Sequence, residues 1–321
     1  MLHLRIVAPH ACADPALEVL TATPSVCNVV RLPGAAVRPE GDVILADVAR
    51  EDASVVLADL RELGIHKQGS IAIESIDTEI SDSADRAERA APGLPSDAVV
   101  WEEVEARTSE TTELSASFMA FMVLACLIAA VGIYLDTPIL IIGAMVVGPE
   151  FGPLAGLCVA LVQRRGTLAR RSFTALAVGF PAGIAAALGA TLVFKWTGVT
   201  PERFSAADHG LSDVIANPDF LSFFVAFCAG LAGIVSLTSA KSGALIGVLI
   251  SVTTIPAAAN VGVAAAYADW SAWRGSLAQL GINLGAIMLA GTLTLTVQRL
   301  LYARRRATHE EQLRRARASA P

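Results

Sequence analysis

The sequence predicts an α-helical polytopic membrane protein with six spans. They are arranged as two inverted three-span repeats with broken second and fifth helices, preceded by a small α+β domain of ferredoxin-like (βαββαβ) order. Three observations predict it. The 321 residues are 54% hydrophobic and only 17% charged, with mean hydropathy +0.57, against roughly 25% charge in a soluble domain. Six apolar stretches follow residue 116, each near the 20 or so residues that a bilayer core requires. Before them, about 75 residues alternate between two-residue and helical periodicity.

The N-terminal elements follow in order. Leu2, Leu4 and Ile6 alternate as a strand; His3, Arg5 and His10 interrupt the stretch too often for a cleavable signal. Asp14 to Leu20 reads as a helix start, with Asp14 as cap and Pro15 at the first position. Ser25 to Leu32 and Val37 to Ala49 read as strands around a turn at Pro39, Glu40 and Gly41. Glu51 to Leu63 is helical through Val55, Val56, Leu60 and Leu63, and Gly64 stops it. Gly69 to Ile76 alternates again as a strand. Such a module serves either as a ligand-sensing or assembly unit or as a structural cap; the fold alone does not choose. The spacing of Cys12 and Cys27, and of His3, His10 and His66, matches no metal motif, and no phosphate-binding glycine loop is present.

The chain divides into a ferredoxin-like cytoplasmic domain (1–80), a linker with an amphipathic helix (81–116), a six-span domain (117–301) and a basic cytoplasmic tail (302–321). Residues 78–97 are polar linker; 98–116 form the amphipathic helix, with Trp101 as an interfacial anchor. The spans are Ser117–Leu135, Pro138–Val162, Phe173–Phe194, Phe220–Leu237, Gly243–Ala268 and Leu277–Leu301. Arg164, Arg165, Arg170 and Arg171 follow the second span, Lys241 the fourth, and Arg304, Arg305, Arg306, Arg314, Arg315 and Arg317 the sixth. The opposite loops hold only Lys195, Arg203 and Arg274. Positive residues stay inside, so both termini face the cytoplasm.

Charge and cysteine content narrow the function classes. Residues 1–113 carry 21 acidic and 9 basic side chains, and the remainder 9 and 15. An acidic soluble half argues against nucleic-acid binding, which needs basic patches. Five scattered cysteines form no disulfide framework, which fits a reduced compartment. No zinc-protease pair, nucleophile elbow or Walker loop is present, so the chain reads as a non-enzyme without cofactors.

The second and fifth spans carry the functional reading. Pro149 and Pro153 lie near the middle of the second, and Pro256 with Ser251, Thr253 and Thr254 interrupts the fifth at similar depth. Proline removes a backbone donor and clashes with the preceding turn. Gly143 aligns with Gly247 and, after a one-residue gap, Pro153 with Pro256. Interrupted spans at equivalent places in inverted halves point to a midplane solute site, because freed backbone groups must face protein or a wet cavity. The candidate site is Gly148, Pro149, Glu150, Pro153, Thr253, Thr254, Pro256 and Asn260. Glu150 would favour a cation or proton, whereas broken-helix N–H groups would favour an anion. Glycines at four-residue spacing, such as Gly148/Gly152/Gly156, Gly179/Gly183 and Gly281/Gly285, allow the plainer reading of close helix packing, and Asn260 and Asn283 that of interhelical hydrogen bonds.

The runs IIGAMVVGPEFGPLAG (residues 141–156) and SGALIGVLISVTTIPAAANVGVA (residues 242–264) resemble the bacterial and archaeal membrane family called domain of unknown function 389. The resemblance covers roughly residues 110–301. It implies a multi-span inner-membrane protein, often preceded by a small domain, and leaves the substrate open. It also implies that many members have an apolar residue where Glu150 stands. The leading expectation is a transporter or channel for a small solute or ion, embedded in the lipid bilayer and homo-oligomeric. The alternative is a non-transporting sensor or scaffold whose N-terminal domain binds a ligand or partner.

Overall fold

The computed structural model describes the backbone of residues 1–76, 78–91, 93, 98–200, 209–239 and 246–319, and their side chains save 246–253, 310 and 312–319. Arg203 and Lys241, and the side chains of Ser251, Thr253, Arg314, Arg315 and Arg317, therefore lie outside the described residues. The chain forms two compact units. One holds Met1–Val104, Thr238–Lys241 and Gln298–Pro321; the other holds Glu105–Leu237 and Ser242–Val297.

The first unit begins β1 (Leu2–Ala8), α1 (His10–Ala22), β2 (Val26–Val37), β3 (Glu40–Val48), α2 (Arg50–Glu62), α3 (Ile65–Gln68) and β4 (Ser70–Ser75). The four strands form one sheet in the order β2-β3-β1-β4, and every neighbouring pair is antiparallel. Alternation along β1 sends Leu2, Leu4 and Ile6 to one face, where they are wholly buried with Ile44, Ala46, Ala16, Leu20, Val56 and Leu60. Gly64 ends α2 with φ +76°, a conformation that costs glycine little.

Two local readings are corrected. Helix α1 starts a turn early, after Pro9, so Pro15 lies inside it, and Asp14 pairs with Arg31 at 2.6 Å instead of capping. The polar stretch after β4 contains a further helix, α4 (Asp82–Ala90), whose N-cap Ser81 accepts from the backbone N–H of Ser83 and Ala84.

Helix α5 (Trp101–Thr111) forms where the amphipathic segment was expected, but Trp101 is not an interfacial anchor. It is buried in the first unit, its ring edge-on to Tyr302 with centroids 6.4 Å apart. The backbone N–H of Trp101 donates to Ser54 Oγ at 3.0 Å. Tyr302 donates to the carbonyl of Ser54 at 3.2 Å, and Arg306 pairs with Glu62. The basic segment after the last apolar stretch is thus a helix packed on α2.

The second unit is helical: α6 (Ala116–Tyr134), α7 (Pro138–Val147), α8 (Phe151–Gln163), α9 (Gly166–Trp196), α10 (Gly210–Ala216), α11 (Phe220–Thr238), α12 (Ile246–Ala266) and α13 (Trp270–Ser319), the last of which runs on into the first unit. Among the described residues, four helices are long and apolar enough to cross a membrane: α6, α9, α11 and the Trp270–His309 part of α13. Counting the bent pair α7–α8 as one span makes five. The core between them is built of small residues, including Ala125, Ala129, Ala257, Ala258 and Ala259. A Cβ on Gly183 of α9 would lie 2.5 Å from Cys126 Sγ of α6, so glycine sets how closely these two helices approach. Gly281 and Gly285 face open space, so not every glycine pair serves this purpose.

Candidate functional site

The bend between α7 and α8 is 53° and has a local cause. Gly148 precedes a proline, which disfavours the helical region; it is extended, with φ −61° and ψ 125°. Pro149 then supplies no N–H. Pro153 contributes nothing to the break. It lies in the first turn of α8, where backbone N–H groups have no helical acceptor in any case.

The fifth apolar stretch departs from expectation. Helix α12 runs through Pro256 as one helix from Ile246 to Ala266, so the second predicted break is absent. One proline removes one hydrogen bond and adds one clash. Packing of α12 against α6, α7 and α9 holds the helix together across it. The pattern matched a proline position, whereas the break in α7–α8 requires the Gly148–Pro149 pair.

Glu150 and Thr254 are nevertheless brought together. Thr254 Oγ1 of α12 donates to Glu150 Oε1 at 2.7 Å, and both residues are wholly buried. Pro153 and Pro256 are buried too. Thr253 has its backbone in α12 and its side chain outside the described residues.

Asn260 belongs to another cluster, six residues and about 9 Å of helix rise further on. Its Oδ1 accepts from Ser212 Oγ of α10 at 2.9 Å, and its Nδ2 donates to Ser276 Oγ of α13 at 2.9 Å and to the Ser212 carbonyl at 3.4 Å. All three residues are fully buried. This is the interhelical use of asparagine.

A cavity of about 570 Å³ adjoins the break. Gly148, Pro149, Phe151 and Gly152 form one wall, Phe118 of α6 and Leu237 of α11 contribute apolar surface, and Arg107, Glu110 and Glu113 make another wall charged. Glu150, Pro153, Thr254, Pro256 and Asn260 do not line it. The expected single chamber is thus replaced by a cavity beside the break and a sealed contact next to it, joined through adjacent residues 149 and 150.

Sequence spacing also missed a group in the first unit. Cys27, Asp47 and Glu79 bring one potential ligand atom each within 4.8 Å of one another. His3 Nδ1 lies 2.6 Å from Asp47 Oδ1. Strand pairing creates this cluster from positions scattered along the chain; the signal was the period-two register, which places His3 with Leu2 and Leu4 on opposite faces.

The family described as domain of unknown function (DUF389) matches residues 145–289, from the end of α7 into α13. This stretch is similar to that family. An uncharacterized protein of Methanocaldococcus jannaschii is 28% identical over 204 residues, which is 60% of this chain and 58% of that protein, so the chain spans little more than half of its relative. No solved structure matches. The DUF389 segment contains the Gly148–Pro149 break, Glu150, α12 and the Asn260 cluster, but none of the Cys27–Asp47–Glu79 group.

Proposed function

We propose that the DUF389 domain moves a small cation or proton across the inner membrane, with Glu150 as its exchanging group and the α7–α8 break as the moving part. One observation carries the reading: a carboxyl group with no exposure sits at the only interrupted span among the described residues, held by a hydroxyl of a second helix. An ionisable group at such depth is costly and marks an ion or proton path by default. The helix N-terminus beside it would attract anions, but the carboxyl group of Glu150 already occupies that neighbourhood. The cavity at Gly148 and Pro149 supplies an approach from one side, and the sealed Glu150–Thr254 contact a closed state.

In this reading α6, α7–α8 and α9 form one three-span half and α11, α12 and α13 the other, six spans in all, with both termini cytoplasmic. The middle elements of the halves meet at Glu150 and Thr254, as an inverted pair would. The strand order β2-β3-β1-β4 and the sequence of elements support a ferredoxin-like assignment for the cytoplasmic domain. Apolar side chains exposed on α9 and α13, such as Phe173, Val193, Leu289 and Leu293, face lipid or a second copy of the chain.

Proteoliposomes loaded with a pH-sensitive dye and challenged with cation and proton gradients test the proposal. Wild type dissipates a gradient, and Glu150→Gln abolishes the flux while the chain still folds. Equal flux in the variant removes Glu150 from the mechanism. The sensor or scaffold reading is favoured by a different observation, the sealed packing of Glu150 against Thr254; absence of any flux in wild type would select it.

A further inference from the structure

We propose that the N-terminal unit holds a divalent transition-metal ion of the zinc type, bound by Cys27, Asp47 and Glu79 on the sheet face opposite its core. The register builds most of the site. Cys27 pairs with Asp47, Asp47 with His3, and His3 with Glu74, so β2, β3, β1 and β4 contribute one row of metal-ligating residue types across a single face. Glu79 joins from the segment between β4 and α4. The donor atoms of Cys27, Asp47 and Glu79 already lie within 4.8 Å of one another; tetrahedral zinc would draw them to roughly 3.5 Å.

The surrounding hydrogen bonds hold the carboxylates in place. Asn28, with φ 53°, donates from Nδ2 to Asp47 Oδ2 at 2.8 Å and to Glu79 Oε1 at 2.9 Å. His3 takes Asp47 Oδ1. The other oxygen of Glu79, Oε2, is buried and has no hydrogen-bond partner. A buried acceptor left unpaired is costly, and a cation would satisfy it.

The donor set selects the ion class. A thiolate with two carboxylates suits zinc or cobalt and disfavours magnesium and calcium, which take oxygen ligands throughout. Three protein ligands leave a fourth position for water or an exchangeable ligand, the arrangement of an open site.

Proton bookkeeping follows. Burial, then Glu79 and Asp47, push the Cys27 thiol up to about 11, while Ser83 and the amino terminus pull the other way. A thiol is ordinarily protonated at neutral pH, so binding replaces S–H by S–metal with release of one proton to solvent. An ion here would tie the segment carrying Glu79 to β2 and β3. The site stands independently of the transport reading and would give the domain a sensing role.

The test uses the full-length, untagged chain stripped of metal. Titration with Co²⁺ should saturate at one ion per chain with a thiolate-to-cobalt charge-transfer band. Zn²⁺ should bleach the band, and affinity should fall about tenfold for each unit that pH is lowered. Cys27→Ser should abolish the band and Cys12→Ser should keep it. Glu79→Gln, which lies off the sheet and leaves the fold intact, should weaken binding at least tenfold, and His3→Gln, which only positions Asp47, about ten- to a hundredfold. A band that survives Cys27→Ser, undiminished affinity in Glu79→Gln, or no saturable band in wild type would overturn the site.

Discussion

Asp42 shows how a single buried charge is made tolerable. Its side chain is 2% exposed, yet it accepts from the backbone N–H of Gly34 at 3.0 Å, pairs with Arg31 at 2.8 Å and faces His10 at 2.8 Å. These contacts, the Gly34 hydrogen bond first and the Arg31 guanidinium second, hold its carboxyl below the usual carboxylate range. A depressed acid contributes stability that is complete above its unfolded value and is lost as pH falls through its folded value. Asp42→Asn should therefore lower the unfolding midpoint of the full chain near neutral pH. The gap between variant and wild type should close as pH drops below about 4. A gap that is constant with pH would deny the linkage. Asn260 is satisfied in the same complete way without charge, which is why it reads as part of the packing rather than the path. From sequence both are merely polar residues. Only the partners that folding supplies, Gly34 across the β2–β3 hairpin for one and Ser212 with Ser276 for the other, decide what they do.

Among the elements, the three prolines of the candidate site behave differently, and the difference is physical. Pro149 follows a glycine that is free to adopt the extended conformation, and the helix breaks there. Pro153 sits in a first turn where no hydrogen bond is forfeited. Pro256 lies inside α12, where it removes a bond and is held by the neighbouring helices. An interior proline costs a helix roughly 3 kcal/mol relative to alanine, although packing returns part of that. Pro256→Ala should thus raise the thermal stability of the detergent-solubilised protein by about 1–2 kcal/mol, while Pro153→Ala should change it by less than about 0.5 kcal/mol. A destabilising Pro256→Ala would mean that the proline shapes α12 for packing. The break in the second span was legible because Gly-Pro is a local signal. The continuity of α12 was not, because proline tolerance depends on helices from elsewhere in the chain. Glu150 and Thr254 are both recognisable in the sequence as polar residues at odds with their spans, and the two side chains are in contact. The chamber expected around all eight residues was an inference from pattern alone, and packing divides it.

For the whole molecule, the segment after residue 298 is the informative part. Its arginines carry the positive-inside expectation, and charge counting stops there. Folding assigns it a second task. Tyr302 stacks edge-on with Trp101 and donates to Ser54, Arg306 pairs with Glu62, and His309 lies 3.5 Å from Asp59. These contacts attach the C-terminal end of α13 to α2 and to the start of α5, within one compact unit. The consequence is testable by truncation. Removing residues 302–321 strips Trp101 of its ring partner and leaves the α2 carboxylates Asp59 and Glu62 without their basic neighbours. Proteolysis tracks the population of locally opened states. Cleavage within 98–111 of the truncated protein in membranes should therefore accelerate about tenfold or more, the equivalent of losing some 1.4 kcal/mol of local stability. Tyr302→Ala should reproduce part of the effect without altering the charge of the segment. If neither change alters the cleavage rate, the C-terminal helix serves topology alone.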